Sequence, residues 1–233
     1  MALQLDIHIV YSISQEHGER PRMSTRRYVS SVRTAGAAEK RTRVIEAAAR
    51  SLREGASITS FSLDTVAKAA GVTRLTVYHQ FGSRRGLLEA VFDDIAQQGG
   101  LTEIADAMAM PDPRAALDRL VEIFCAFWNR DPAVGRLHEA MATDPEFALA
   151  LLERNERRRK TFTALVKRAA GKSASARAQQ DAVDMIFALT SFAMFAMLSG
   201  DRPVDRVCAL LKSACHSALD PLVPGTHSAA KRR

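Results

Sequence analysis

The chain has 233 residues, 47% apolar and 25% charged, which allows one elongated domain or two small ones with a real core and excludes wholesale disorder or a fibrous repeat. Ten Phe and 8 Met accompany abundant Ala and Leu with few β-branched clusters, so the fold class is all-α and a barrel or sandwich is excluded. The formal charge of +7 is concentrated in residues 20–43, where Arg20, Arg22, Arg26, Arg27, Arg33, Lys40, Arg41 and Arg43 face one acid, Glu39. A local basic block on an otherwise neutral chain points to a polyanion partner, nucleic acid before membrane.

Residues 1–37 lack helical periodicity and read as a flexible basic arm. Met23 is as natural a start as Met1, and the opening MALQLDIHIVYSIS, with Asp6 in its apolar run, makes a poor signal peptide. From Glu39, the spacing of Val44, Ile45, Ala48, Ala49 and Leu52 predicts a helix ending near Gly55. Ser62, with Asp64 behind it, caps a second over Leu63, Val66, Ala67 and Ala70. Gly71 ends that helix in a left-handed turn, and Thr73 caps a third running Arg74 to about Gln80. Ser83 opens a fourth through Leu87, Leu88, Val91, Phe92 and Ile95 to Gly99-Gly100. Asp-Pro pairs then open helices at Pro113, Pro132 and Pro145, the last reaching Ala170. Two further helices are expected over Ser175–Ser199 and Pro203–Leu219, and residues 225–233 read as a disordered tail. Residues 38–98 thus form one domain and 99–224 another.

SLDTVAKAAGVTRLTVYHQ, residues 62–80, is a helix, a tight turn and a second helix, the arrangement that lets a short helix enter a major groove about 12 Å wide. The outward residues would be Thr73, Arg74, Thr76, Tyr78 and His79. Over residues 39–92 the chain resembles the N-terminal domain of the tetracycline-repressor (TetR) family of bacterial transcription regulators. The marks are Ala67, Ala70-Gly71-Val72, Thr76-Val77-Tyr78, Phe81, Ser83-Arg84 and Leu87-Leu88. The resemblance implies that Thr73, Arg74, Thr76, Tyr78 and His79 face an operator. It also implies that Ser62, the residues before the first helix, and Arg84, where members usually have Lys, contact phosphates, and Arg43 of the basic block is a further DNA-binding candidate. Leu75 departs from the Gly many members carry. The chemistry agrees in outline, since Arg74 can grip guanine bidentately and Thr methyls can meet thymine.

In the C-terminal half, Met185 to Met197 leaves little polar surface and calls for a partner subunit. Val204, Val207, Cys208, Leu211, Ala214, Cys215 and Ala218 offer a matching stripe, giving a homodimer through the last two helices, as the family resemblance also implies. The uncharged run Met185–Gly200 is 16 residues, short of the roughly 20 needed to span a bilayer, so it reads as a buried helix. Phe124, Trp128, His138, Met141, Phe147, Phe162 and Met185 are candidate lining for a small-molecule effector cavity. The basic run RNERRRK, residues 154–160, reads as a solvated helix face. Three Cys without a CxxC pair give no disulfide framework and no metal site, and fit a reducing cytoplasm. No Gly-rich phosphate loop, HExxH or GxSxG motif suggests an enzyme, and no cofactor is implied. The rival reading is a helical small-molecule carrier or scaffold without sequence-specific DNA binding. It leaves the basic block beside the helix-turn-helix unexplained.

Overall fold

Each predicted helix start is a site where a short polar side chain can satisfy backbone N–H groups that have no intrahelical partner. The computed structural model describes residues 26–223 except Ala56 and Ser173, and most of these starts are made in that way. The described helices are α1 (Arg26–Glu54), α2 (Leu63–Ala70), α3 (Arg74–Phe81), α4 (Arg84–Gln98), α5 (Ile104–Ala109), α6 (Pro113–Arg130), α7 (Ala133–Ala140), α8 (Pro145–Ala169), α9 (Ala176–Leu189), α10 (Phe192–Ser199) and α11 (Val204–Leu219). Ser62 and Thr65 form a reciprocal capping box at α2, each hydroxyl accepting the other's amide at 3.1 Å. Thr73, Ser83, Asp112 and Asp144 cap α3, α4, α6 and α8. Asp131 accepts the Ala133 amide at the start of α7. Each such cap contributes about 1 kcal/mol.

The chain divides into residues 1–39 and residues 40–233. The first unit is described only from Arg26, as the start of α1; the expected arm over 1–37 therefore gives way to helix from Arg26, and the rest of that arm and the tail 225–233 lie outside the described residues. Within the second unit one continuous cluster of buried side chains runs from Val44 through Val77 and Leu88 to Leu222, so residues 38–98 and 99–224 share a core rather than building two.

Three elements differ from expectation. The short α5 was not foreseen, because IADAMA has no Pro and no side-chain cap. The expected helix Ser175–Ser199 is two helices, α9 and α10, bent by 51°. The break falls at Thr190-Ser191, where Ser191 accepts the Met194 amide and starts a new helix. The stripe on α11 turns inward: Val207, Leu211, Cys215 and Leu219 are buried, chiefly against α6 and α9 of the same chain. Covering each such leucine is worth roughly 1.5–3 kcal/mol, so the intrachain core claims that face first. Among the described residues no single helix is long and apolar enough to cross a membrane.

Candidate nucleic-acid interface

The turn between α2 and α3 depends on Gly71, which sits at φ 65°, ψ 35°, the left-handed region where a Cβ is penalised. Its backbone lets the Val72 amide bond back to the Ala67 carbonyl at 3.0 Å, closing α2. Val77, fully buried, anchors α3 to the core. At the other end of α3, the Arg41 guanidinium from α1 lies 4.5 Å from the centre of the Phe81 ring and donates to the Gln80 carbonyl at 3.2 Å. A helix pinned at both ends presents a fixed outer face. That face carries Thr73, Arg74, Leu75, Tyr78 and His79, all exposed, with Thr76 half-buried. Leu75 and Tyr78 are 61% and 55% exposed, an apolar surface that water alone does not favour. Arg74 leans on Asp64 at 3.4 Å, but both side chains are about two-thirds exposed and such a pair holds weakly. Arg43 is exposed on α1. The Ser62 hydroxyl is engaged in its capping box.

Arg84, whose motif position implies a phosphate contact, has its guanidinium engaged within the protein. Its Nε donates to the Phe61 carbonyl at 3.2 Å, one terminal nitrogen to the Ile58 carbonyl at 3.3 Å and the other to the Asp144 carboxylate at 3.1 Å. The side chain is turned into the protein, where it joins the start of α4 to the start of α8. Two more arginines reinforce that joint. Arg154 of α8 forks onto Asp93 of α4 at 2.8–2.9 Å, and Arg85 pairs with Glu89 and Glu146. Arg53 of α1 grips Asp131 at 2.6–3.1 Å. Burial opposes ionisation of Asp131, but the bonds from Arg53 and the Ala133 amide outweigh it and hold the carboxyl below its usual range.

The candidate effector residues separate. Phe124, Trp128, His138 and Phe162 come together, with Phe124–Trp128, Phe124–Phe162 and Trp128–His138 ring centres 6.3, 5.8 and 5.7 Å apart. Phe147 is buried, and Met141 is half-buried against the same core. Met185 is 55% exposed, because α9 turns Ala182, Val183 and Ile186 inward and Met185 falls one position off that face. A crevice of about 280 Å³ opens elsewhere, lined by Glu46, Ala49, Arg50, Arg53, Asp94 and Gln98 between α1 and α4. The run 154–160 is a solvated face only in part: Arg157 and Lys160 are exposed, whereas Arg154 and Arg159 pair with Asp93 and Asp184, and Arg158 is buried at 8% exposure. Arg158 and Thr190 were missed because a basic run and a threonine in an apolar helix carry no sequence signal of burial.

Residues 44–91 match the family described as "Bacterial regulatory proteins, tetR family", and residues 111–223 match "Tetracyclin repressor-like, C-terminal domain". A curated relative, the HTH-type transcriptional regulator EthR of Mycolicibacterium smegmatis, is 33% identical over 106 residues. That match spans 44% of this chain and 48% of EthR, about half the length of the relative. The fold is similar to that of a TetR-family regulator structure from Rhodococcus sp. (TM-score 0.58, 19% identity, covering 78% of this chain and 99% of that one). It is also similar to a TetR regulator from Haloarcula marismortui (TM-score 0.59, 14% identity, 79% and 98%). A third similar structure is a transcriptional regulator from Saccharomonospora viridis solved in complex with choline (TM-score 0.58, 17% identity, 76% and 95%).

Proposed function

We propose that this chain, which belongs to the TetR family of bacterial transcription regulators, acts in the cytoplasm as a homodimeric repressor that a small-molecule effector releases from a palindromic operator. It is a regulator and not an enzyme. The carrying observation is the outer face of α3, fixed by Val77 and the Arg41–Phe81 contact and bearing Arg74, Thr76, Leu75, Tyr78 and His79 toward solvent. Arg74 reads guanine, Leu75 and the Thr76 methyl meet thymine methyls, and Tyr78 and His79 bond to backbone phosphates. Arg43 of α1 adds a phosphate contact.

Dimerisation through the last helices is supported by what the chain leaves uncovered there. Met185 of α9, Met197 of α10 and Leu210 of α11 are 55%, 72% and 47% exposed, and they are the surface residues a second copy would cover. Two recognition helices would then read half-sites about 10 base pairs apart, or a multiple of one turn. The three arginine contacts between α4 and α8 supply a route from bundle to DNA, and the choline complex of the Saccharomonospora viridis regulator supports a small-molecule effector. The test is a band shift with DNA flanking the chain's own gene at two salt concentrations. A salt-sensitive shift that survives competition by scrambled duplex is expected, and no shift at either salt would refute the reading.

A further inference from the structure

The bundle holds a charge that no carboxylate among the described residues neutralises. Arg53, Arg84, Arg114, Arg119, Arg136, Arg154 and Arg159 each pair with a carboxylate. Arg158, between Arg154 and Arg159 in sequence, has no carboxylate among the described residues and is more deeply buried than its neighbours. One terminal nitrogen donates to the Thr190 hydroxyl at 2.9 Å, and its Nε is buried without an acceptor. The guanidinium lies 4.1 Å from the centre of the Phe187 ring and 5.7 Å from that of Phe124. Ring faces attract a cation but do not accept its N–H groups in the plane of the fork. Arginine stays protonated, and a buried unpaired charge is costly, so the arrangement is complete only when an anion supplies the acceptors.

We infer that Arg158, in its cage of Phe124, Trp128, His138, Phe187 and Thr190, receives the carboxylate of a small monoacid whose aromatic or acyl body lies among these rings. This rests on the reading that the bundle takes a small-molecule effector. Planar bidentate pairing is what the fork of Arg158 offers a carboxylate. His138 lies in the same ring cluster, but its Nδ1 donates to the Val134 carbonyl at 3.0 Å and burial lowers its pKa, so its Nε2 is an acceptor and the anion is left to the Arg158 fork. A quaternary ammonium such as choline is excluded, because the cage already contains a cation.

The site is placed to act at a distance. The Thr190 hydroxyl that now accepts from Arg158 belongs to the break between α9 and α10, and the Thr190 carbonyl accepts the Trp128 indole N–H at 3.0 Å. An arriving carboxylate takes over the Arg158 fork and releases Thr190. Arg154, one turn away on α8, is the residue that forks onto Asp93 of α4, so movement of α8 reaches the helix that carries α3.

Trp128 is the chain's one tryptophan, so its fluorescence reports this site in the full chain without DNA. Benzoate, phenylacetate and octanoate are titrated, each against its amide, with choline as a cationic control. At least one acid should give a saturable change and bind at least tenfold tighter than its amide, and choline should give none. Arg158→Met should weaken that acid by about 10- to 100-fold, the range of charge-assisted hydrogen bonds. Arg157→Met, an exposed neighbour, should not. An amide as tight as its acid, equal binding by Arg158→Met, or silence from all three acids would overturn the site. The acid–amide comparison needs no variant and decides the matter even if Arg158→Met fails to fold. Adding operator DNA separates the two readings. Acid binding with unchanged DNA affinity keeps the site and sinks the effector mechanism, whereas release by a neutral compound alone does the reverse.

Discussion

Arg84 bonds to the carbonyls of Phe61 and Ile58 and to the Asp144 carboxylate, so replacing it by alanine strands acceptors on two elements at once. We expect Arg84→Ala to lower stability by about 1–3 kcal/mol, the range for charge-assisted bonds at a partly buried site. The salt dependence of binding to scrambled DNA should stay unchanged, since no phosphate contact is removed. Denaturant melts and a salt series check both, and a shallower salt slope would restore the phosphate role. Asp131 gives a pH-dependent counterpart. Its folded-state carboxyl is held below the unfolded value, so its contribution is present above about pH 4 and is lost as pH falls through that lowered value. Asp131→Asn keeps an acceptor for the Ala133 amide and removes the charge that Arg53 grips. It should therefore cost about 1 kcal/mol at neutral pH, modest because Arg53 is open to solvent, and little once pH falls below that lowered value. Melting curves across pH test this, and a gap that persists in acid would contradict it.

Among the elements, the recognition unit is the most exacting about its glycines. A Cβ at Gly71 would meet nothing within 4 Å, so Gly71→Ala carries backbone strain alone, roughly 1–2 kcal/mol. A Cβ at Gly86 would lie 2.1 Å from the carbonyl oxygen of Phe81, the last residue of α3. Gly86→Ala must displace that carbonyl, and we expect it to be the more destabilising of the two and to weaken operator binding as well. Denaturant midpoints and band shifts rank them, and the reverse order would show that α3 yields without cost. These capped and glycine-closed elements were legible in the sequence, because a Ser, Thr or Asp acceptor and a left-handed Gly act within four residues. The break at Thr190 was less so. Ser191 is a fair cap, but what sets the break is Trp128 and Arg158 reaching it from α6 and α8, contacts no local pattern records. Burial of Arg158 and the inward turn of Arg84 escaped for the same reason, since both depend on partners at least 23 residues away in sequence.

For the whole molecule, the inward stripe of α11 leaves Met185, Met197 and Leu210 as the apolar surface of the last helices. Met197→Glu should give a folded monomer by light scattering and circular dichroism, because a charge cannot be covered there without a partner. A dimer of undiminished affinity would move the interface elsewhere. Effector and operator must also be reciprocal: whatever factor the acid imposes on DNA affinity, DNA must impose on acid affinity, typically 5- to 150-fold. The central claim is that the outer face of α3 reads sequence. It is tested most directly by titrating wild-type and Arg74→Ala protein with the palindromic duplex that wild type protects and with a scrambled one. The account predicts two chains per palindrome, and loss of roughly 1–3 kcal/mol per half-site on that duplex alone in the variant. Equal loss on both duplexes, or none on either, would contradict it.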